Sequence, residues 1–130
     1  MCIFCKIARG EERAYVIYEG EKVVAFLDIN PLSKGHTLIV PKDHYENYIE
    51  IPLDVSMEIH DAIKRVCEKL KIFNPAGFNI VANVGRKAGQ VIMHAHVHVI
   101  PRYDREESRP IEFGKSIEVD LDEVYRELTC

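Results

Sequence analysis

Apolar residues change period several times along the chain, and each change predicts an element. Val23 to Leu27 form a continuous apolar run closed by Asp-Ile-Asn-Pro, which predicts a strand entering a turn. GHTLIVPK repeats that plan, so the two runs predict a hairpin-like pair joined through PLSKG. From Asp54 onward Val55, Ile59, Ala62, Ile63, Val66 and Leu70 recur at helical spacing, with Glu58, Lys64, Glu68 and Lys69 off that face. The spacing predicts a long helix over residues 54–71. NPAG breaks it, and Phe78, Ile80, Ala82 and Val84 then alternate with Asn79, Val81 and Asn83 as in a half-buried strand.

After a glycine-bounded loop, GRKAGQ, the stretch HAHVHVIPR again has period two. In a strand His94, His96 and His98 would share one face, while Ala95, Val97 and Val99 point into the core. DREESRP reads as a charged linker. In VDLDEVYREL, Asp120 and Glu123 have the spacing of an N-cap and its reciprocal acid at the start of a short helix.

Composition narrows the class. At 130 residues, with 47% hydrophobic and 29% charged residues, the chain suits a single soluble domain around one core. A net charge of −4 offers no global attraction to nucleic acid or to an anionic membrane, so neither is expected as a partner. There is no apolar run of membrane-spanning length, and MCIFCKIARG lacks the apolar centre of a signal peptide, so a cytoplasmic protein is expected. Its four cysteines are then better read as thiols or metal ligands than as disulfides. Cys67 lies on the apolar side of the helical pattern, as a buried, inert thiol would. His60, on the same helix, has no evident partner. FGKS at 113–116 ends like a phosphate-binding P-loop, but Arg109 stands where that motif needs its first glycine.

Half of the six histidines occupy one short stretch. His94 and His98 would lie about 13 Å apart along a strand, which suits different tasks better than one shared small ligand. Three readings fit the residues: an exposed face that happens to carry imidazoles, a metal strand, or chemistry on phosphate. A cupin-like metal site would want a Glu shortly after the second histidine, where Ile100 stands. A neutral imidazole attacks phosphorus near pH 7 and gives an adduct labile to water, provided nearby donors hold the phosphoryl oxygens. Gly85, Gly89 and Gln90 could supply such donors, although the glycines also suit an ordinary turn.

With GHTLIVPK, GRKAGQ and HAHVHVIPR in place, the sequence resembles the histidine-triad family of nucleotide hydrolases and transferases over roughly residues 2–103. CIFCKI and FLDINP fall in the family's order, and the chain looks closer to the histidine-triad nucleotide-binding branch than to the dinucleoside polyphosphate hydrolases. The resemblance implies an α+β fold: an antiparallel sheet with one long helix, pairing with a second copy into a continuous sheet as a homodimer. Residues 1–103 would form the nucleotide-binding domain, with the linker and C-terminal helix of 104–130 packed on it.

For function, the resemblance implies cleavage of a substituent from the α-phosphate of a purine nucleoside monophosphate through a nucleotidyl-histidine intermediate. Dinucleoside polyphosphate hydrolysis, or a binding adaptor with weak activity, are the alternatives. His96 would be the nucleophile, His98 would bind the phosphate and leaving group, and His36 would support the array, with Gln90 also in the catalytic set. Asp28 would accept hydrogen bonds from the ribose. Ile3, Phe4, Ile7, Phe26, Leu27 and Ile29 would enclose the purine, while Asn83, Gly89, Gln90 and Val91 border the phosphate. Many relatives carry Ser or Thr where this chain has Val91, so a hydroxyl near the leaving group is absent. Finally, Cys2 and Cys5 form a CxxC that many bacterial and archaeal members pair with the histidine of PKxH and the first histidine of the triad. Carried over, Cys2, Cys5, His44 and His94 would hold a structural zinc ion.

Overall fold

The computed structural model describes residues 2–104 and 111–129. Helix α1 (Ile3–Ala8) leads into strands β1 (Val16–Glu19), β2 (Val23–Leu27) and β3 (Thr37–Pro41). Helix α2 (Leu53–Leu70), strands β4 (Gly77–Val81) and β5 (Val97–Arg102), and helix α3 (Leu121–Thr129) follow. The strands form one antiparallel sheet in the order β1-β2-β3-β5-β4. This is the expected α+β architecture.

The apolar runs of β2 and β3 are continuous because both faces of the sheet are covered. Val23, Ala25, Ile39, Val97 and Val99 face α2, where Val55, Ile59, Ala62, Val66 and Leu70 close the larger core. Val24, Phe26, Leu38 and Val40 face the other way and pack with Phe4 of α1. Burying each such aliphatic side chain contributes about 2 kcal/mol. Helix α2 begins after Pro52 with Asp54 in its first turn, and the chain leaves it through Asn74 in a left-handed conformation, φ 55°.

Gly35, between the β2–β3 connection and β3, has φ 94°. A Cβ there would lie 2.7 Å from the Leu70 side chain, so only glycine lets the chain bring His36 under the sheet.

Several differences from the sequence reading stand out. Helix α1 and edge strand β1 are unannounced because a six-residue helix and a four-residue strand are too short to show a period. Paired β5 begins at Val97 rather than at the first histidine, because the Ala95 N–H is donated to the Tyr45 carbonyl, 2.7 Å away, instead of to a strand neighbour. The alternation continues through the unpaired part, with Ala95 in the α2-side core, but His94 is fully buried rather than on an open face.

Helix α3, expected to pack on the domain, buries none of its residues and holds Leu121, Tyr125 and Leu128 in the open. Its amphipathic stripe finds no complementary face among the described residues. The Glu123 N–H does bond the Asp120 carboxylate at 3.2 Å, the cap expected of that spacing. Residues 105–110 of the charged linker, and Cys130, lie outside the described residues.

Candidate active site and metal centre

The face of the sheet opposite α2 carries a cleft of about 910 Å³. Its apolar walls include Ile3, Phe4, Ile7, Phe26, Leu27 and Ile29, all expected around a purine. Asp28, Asn83, Gly89, Val91, His96 and His98 line it as well. Leu38 and Ile92 join the wall, as do Glu12 and Arg13 of the loop after α1. Ile111 and Phe113 of the C-terminal segment also reach it. These had no local signal, since a loop residue's distance from a cleft is set by the sheet it crosses. Gly89, at φ 103°, lets the loop turn back within reach of Asn83, whose amide donates to the Gly89 carbonyl at 3.5 Å.

Gln90 departs from expectation. It is buried, its amide donates to the carbonyls of Glu46 at 2.7 Å and Ile92 at 3.0 Å, and its oxygen accepts from the Gly85 N–H at 2.9 Å. With both ends of its amide engaged, it braces the loop from behind and is not among the residues lining the cleft.

Hydrogen-bond partners assign the proton on the His36, His98 and His96 rings. The Leu32 N–H donates to His36 Nδ1 at 3.0 Å, so the His36 proton resides on Nε2. That proton is donated to His98 Nδ1 at 2.9 Å, with Asp28 Oδ2 3.5 Å from the same nitrogen. His98 therefore carries its own proton on Nε2. Burial, reinforced by the neighbouring His96 and His36 rings, lowers the His98 pKa to about 4. Burial also pushes His36 down, against the opposing pull of the Asp28 carboxylate. Both are neutral near pH 7, and His98 is a hydrogen-bond donor rather than a cation. His96 is oriented the other way: Nδ1–H donates to the His94 carbonyl at 2.8 Å, leaving a lone pair on Nε2. Among the described residues that Nε2 has no protein partner.

A few ångströms from this array is a group of a different kind. Cys2 Sγ, Cys5 Sγ, His44 Nδ1 and His94 Nδ1 converge with all donor atoms within 4.8 Å of one another. Individual separations run from 3.1 Å for the two histidine nitrogens to 3.7 Å for Cys2 and His44. Tetrahedral zinc with bonds of about 2.0–2.3 Å needs ligand separations of about 3.3–3.8 Å. The four Cys–His pairs fall in that range, while Cys2–Cys5 at 3.2 Å and His44–His94 at 3.1 Å are slightly tighter, and the donor set suits zinc. His94 donates its Nε2–H to the Pro41 carbonyl at 2.9 Å, which presents the Nδ1 lone pair to the cysteines. Burial and the adjacent Cys2 thiol raise the Cys5 pKa, so a cation binding there must displace a proton.

Asp28, His36 and His98 form a second close group, also within 4.8 Å. There the His36 nitrogen that a metal would need already carries a hydrogen, and the group is a proton-ordered chain. Cys67, half-buried against the core, has its pKa raised by burial alone, in keeping with an inert thiol.

The family model for the HIT domain matches residues 9–105 of the chain. The chain belongs to the HIT family. It is 52% identical to an uncharacterized HIT-like protein of Methanocaldococcus jannaschii, over 98% of both chains. It is also 39% identical to a Candida albicans adenosine 5'-monophosphoramidase, covering 79% of this chain and 71% of that one. An Arabidopsis thaliana adenylylsulfatase, HINT3, matches at 41% identity over 81% of this chain and 54% of that protein. The crystal structure of a HIT family protein from Bacillus anthracis superposes with a TM-score of 0.89 at 37% identity, covering 98% of this chain and 92% of that one. Among the described residues no helix is long and apolar enough to cross a membrane.

Proposed function

We propose that this HIT protein hydrolyses, or transfers the nucleotidyl group of, purine nucleoside monophosphates substituted on the α-phosphate. The observation that carries the reading is the His96 ring: Nδ1–H is held by the His94 carbonyl at 2.8 Å, and bare Nε2 belongs to a residue lining the cleft. In the proposed reaction Nε2 attacks the α-phosphorus, a P–N bond forms and the bond to the leaving group breaks. Water then cleaves the P–N bond, releasing the monophosphate. His98, kept neutral by burial, donates its Nε2–H to a phosphoryl oxygen, and His36 fixes the tautomer that makes this possible. Asp28 takes the ribose hydroxyls, while the walls around Phe26 and Ile29 take the base.

The relatives named as a monophosphoramidase and an adenylylsulfatase support an adenylyl group as the shared part of the substrate. Val91, 80% exposed at the cleft, brings no hydroxyl to protonate an amine, which favours leaving groups that depart as weakly basic anions. Cys2, Cys5, His44 and His94 would hold zinc as a structural ion, tying the N-terminus to the catalytic segment. A second copy would cover exposed Leu53, Met57 and Ile80 on α2 and edge strand β4, forming the homodimer.

The test is trapping. Adenosine 5'-phosphoramidate and adenylyl sulfate should each form a transient adenylyl adduct on the wild-type protein, while His96→Gly should give neither adduct nor product. Turnover persisting in that variant would refute the mechanism.

A further inference from the structure

Phe4 stands between the two cysteines of the CxxC in α1, a helix whose N-cap is Cys2 itself, with Sγ accepting the Cys5 N–H at 3.3 Å. The Phe4 ring is only 5% exposed, so little of it is available to a bound base. Instead it meets rings of the protein edge to face. Its centroid lies 5.2 Å from His96 at 74°, 5.8 Å from His94 at 84° and 5.6 Å from Phe26 at 62°. An edge-to-face aromatic contact of this kind contributes about 1 kcal/mol and carries a preferred angle, so it resists rotation of the partner ring. The His98 ring also lies against His96, at 5.1 Å and 68°. The His96 imidazole thus packs against two rings while its Nδ1–H is held by the His94 carbonyl.

We infer that Phe4 is a positioning residue for His96: the cysteine knuckle presents its ring against the imidazole and so fixes the direction of the free Nε2. His94 completes the link, because its ring joins the knuckle through Nδ1 while its carbonyl holds His96. The four-ligand group then does more than anchor the N-terminus, since loosening it releases both contacts on the nucleophile. This rests on the reading of His96 as the nucleophile, but it is measured on the ring itself.

The experiment compares wild type, Phe4→Leu, Phe4→Met and His44→Ala, each with zinc and after chelation. The first readout is the His96 Nδ1–H resonance in long-range proton–nitrogen spectra. The second is kcat and KM for adenosine 5'-phosphoramidate. In both Phe4 variants the resonance should broaden or vanish, with kcat down about tenfold and KM within about twofold. His44→Ala, which removes a member of the four-residue group that makes no ring contact with Phe4, should broaden the same resonance, as should chelation of the wild type. Phe4→Met preserves apolar volume, so it tests the ring even where Phe4→Leu folds poorly. A sharp, unshifted resonance in folded Phe4 variants overturns the inference, as does a rise in KM with kcat unchanged, which would make Phe4 a wall of the base pocket. Absence of an adduct on wild-type His96 would defeat the proposed function while leaving the ring measurement readable.

Discussion

Two histidine clusters lie side by side in this protein, built from the same residue type and opposite in chemistry. In the first, the Nδ1 atoms of His44 and His94 converge on two thiols, and His94, its remaining proton bound by the Pro41 carbonyl, presents Nδ1 as a lone pair. In the second, His36 and His98 are linked proton to lone pair, starting at the Leu32 amide and ending on His98 Nε2. The difference does not arise from burial, since His36 and His94 are both almost fully enclosed. It arises from what the distal nitrogen meets: a carbonyl forces a lone pair onto the other nitrogen, whereas an amide N–H forces a proton onto it. His96 lies between the clusters and belongs to both, taking its orientation from the His94 carbonyl of the first and packing its ring against His98 of the second.

The sharpest way to break this comparison is to exchange losses. His98→Ala should lower kcat by about 10²–10⁴-fold, the range for losing a positioned proton-bearing group, with bound zinc measured by elemental analysis unchanged. His94→Ala should do the reverse first, abolishing zinc retention and costing about 3–5 kcal/mol in denaturant unfolding, because it opens a cavity and removes a ligand together. Loss of zinc in His98→Ala would mean that the clusters are not chemically separate.

Next in size is His36→Ala. It leaves His98 Nδ1 without its donor, so the His98 tautomer is no longer specified. Turnover should fall about tenfold with little change in stability if the role is orientation, and His36→Gln, which can still donate, should recover part of it. No recovery with glutamine would assign His36 to packing alone.

Acidification tests the second cluster by linkage. The His98 pKa is depressed to about 4 in the folded protein against an ordinary 6.5, so as pH falls the unfolded chain takes up its proton first. The stabilising contribution is full above about pH 6.5 and is lost between there and about pH 4. The urea midpoint of the wild type should therefore fall more steeply over that window than that of His98→Asn. Parallel curves would mean that His98 titrates normally in the folded state.

The smallest effect is expected from outside both clusters. Truncation after Asp120 removes α3, which buries nothing, and should change monomer stability by less than about 0.5 kcal/mol. A larger loss that depends on protein concentration would place α3 in the contact between two copies.

Periodicity made much of this molecule legible before any coordinates. The helical stripe from Val55 to Leu70 and the alternation around His96 repeat enough times to state which face is buried, and the unbroken run Val23–Leu27 announces a strand covered on both faces. Residue type supplied the chemistry, since a CxxC and alternating imidazoles have few uses in common with ordinary core residues. Gln90 shows where that reasoning stops: its place in the chain suggested a phosphate contact, yet the carbonyls of Glu46 and Ile92 and the Gly85 amide claim its side chain. For α3, amphipathicity could state that one face wants a partner but not where that partner is.

The sequence by itself determined which side chains could do chemistry and which elements would carry them, because both follow from residue identity and spacing within one segment. Tertiary structure alone decided which nitrogen of His94 and of His98 is free, which carboxamide faces inward and which ring of α1 packs on His96. Those outcomes depend on groups tens of residues apart, His36 with His98, Pro41 with His94, or Cys2 with His94, which meet only when the sheet brings their segments together.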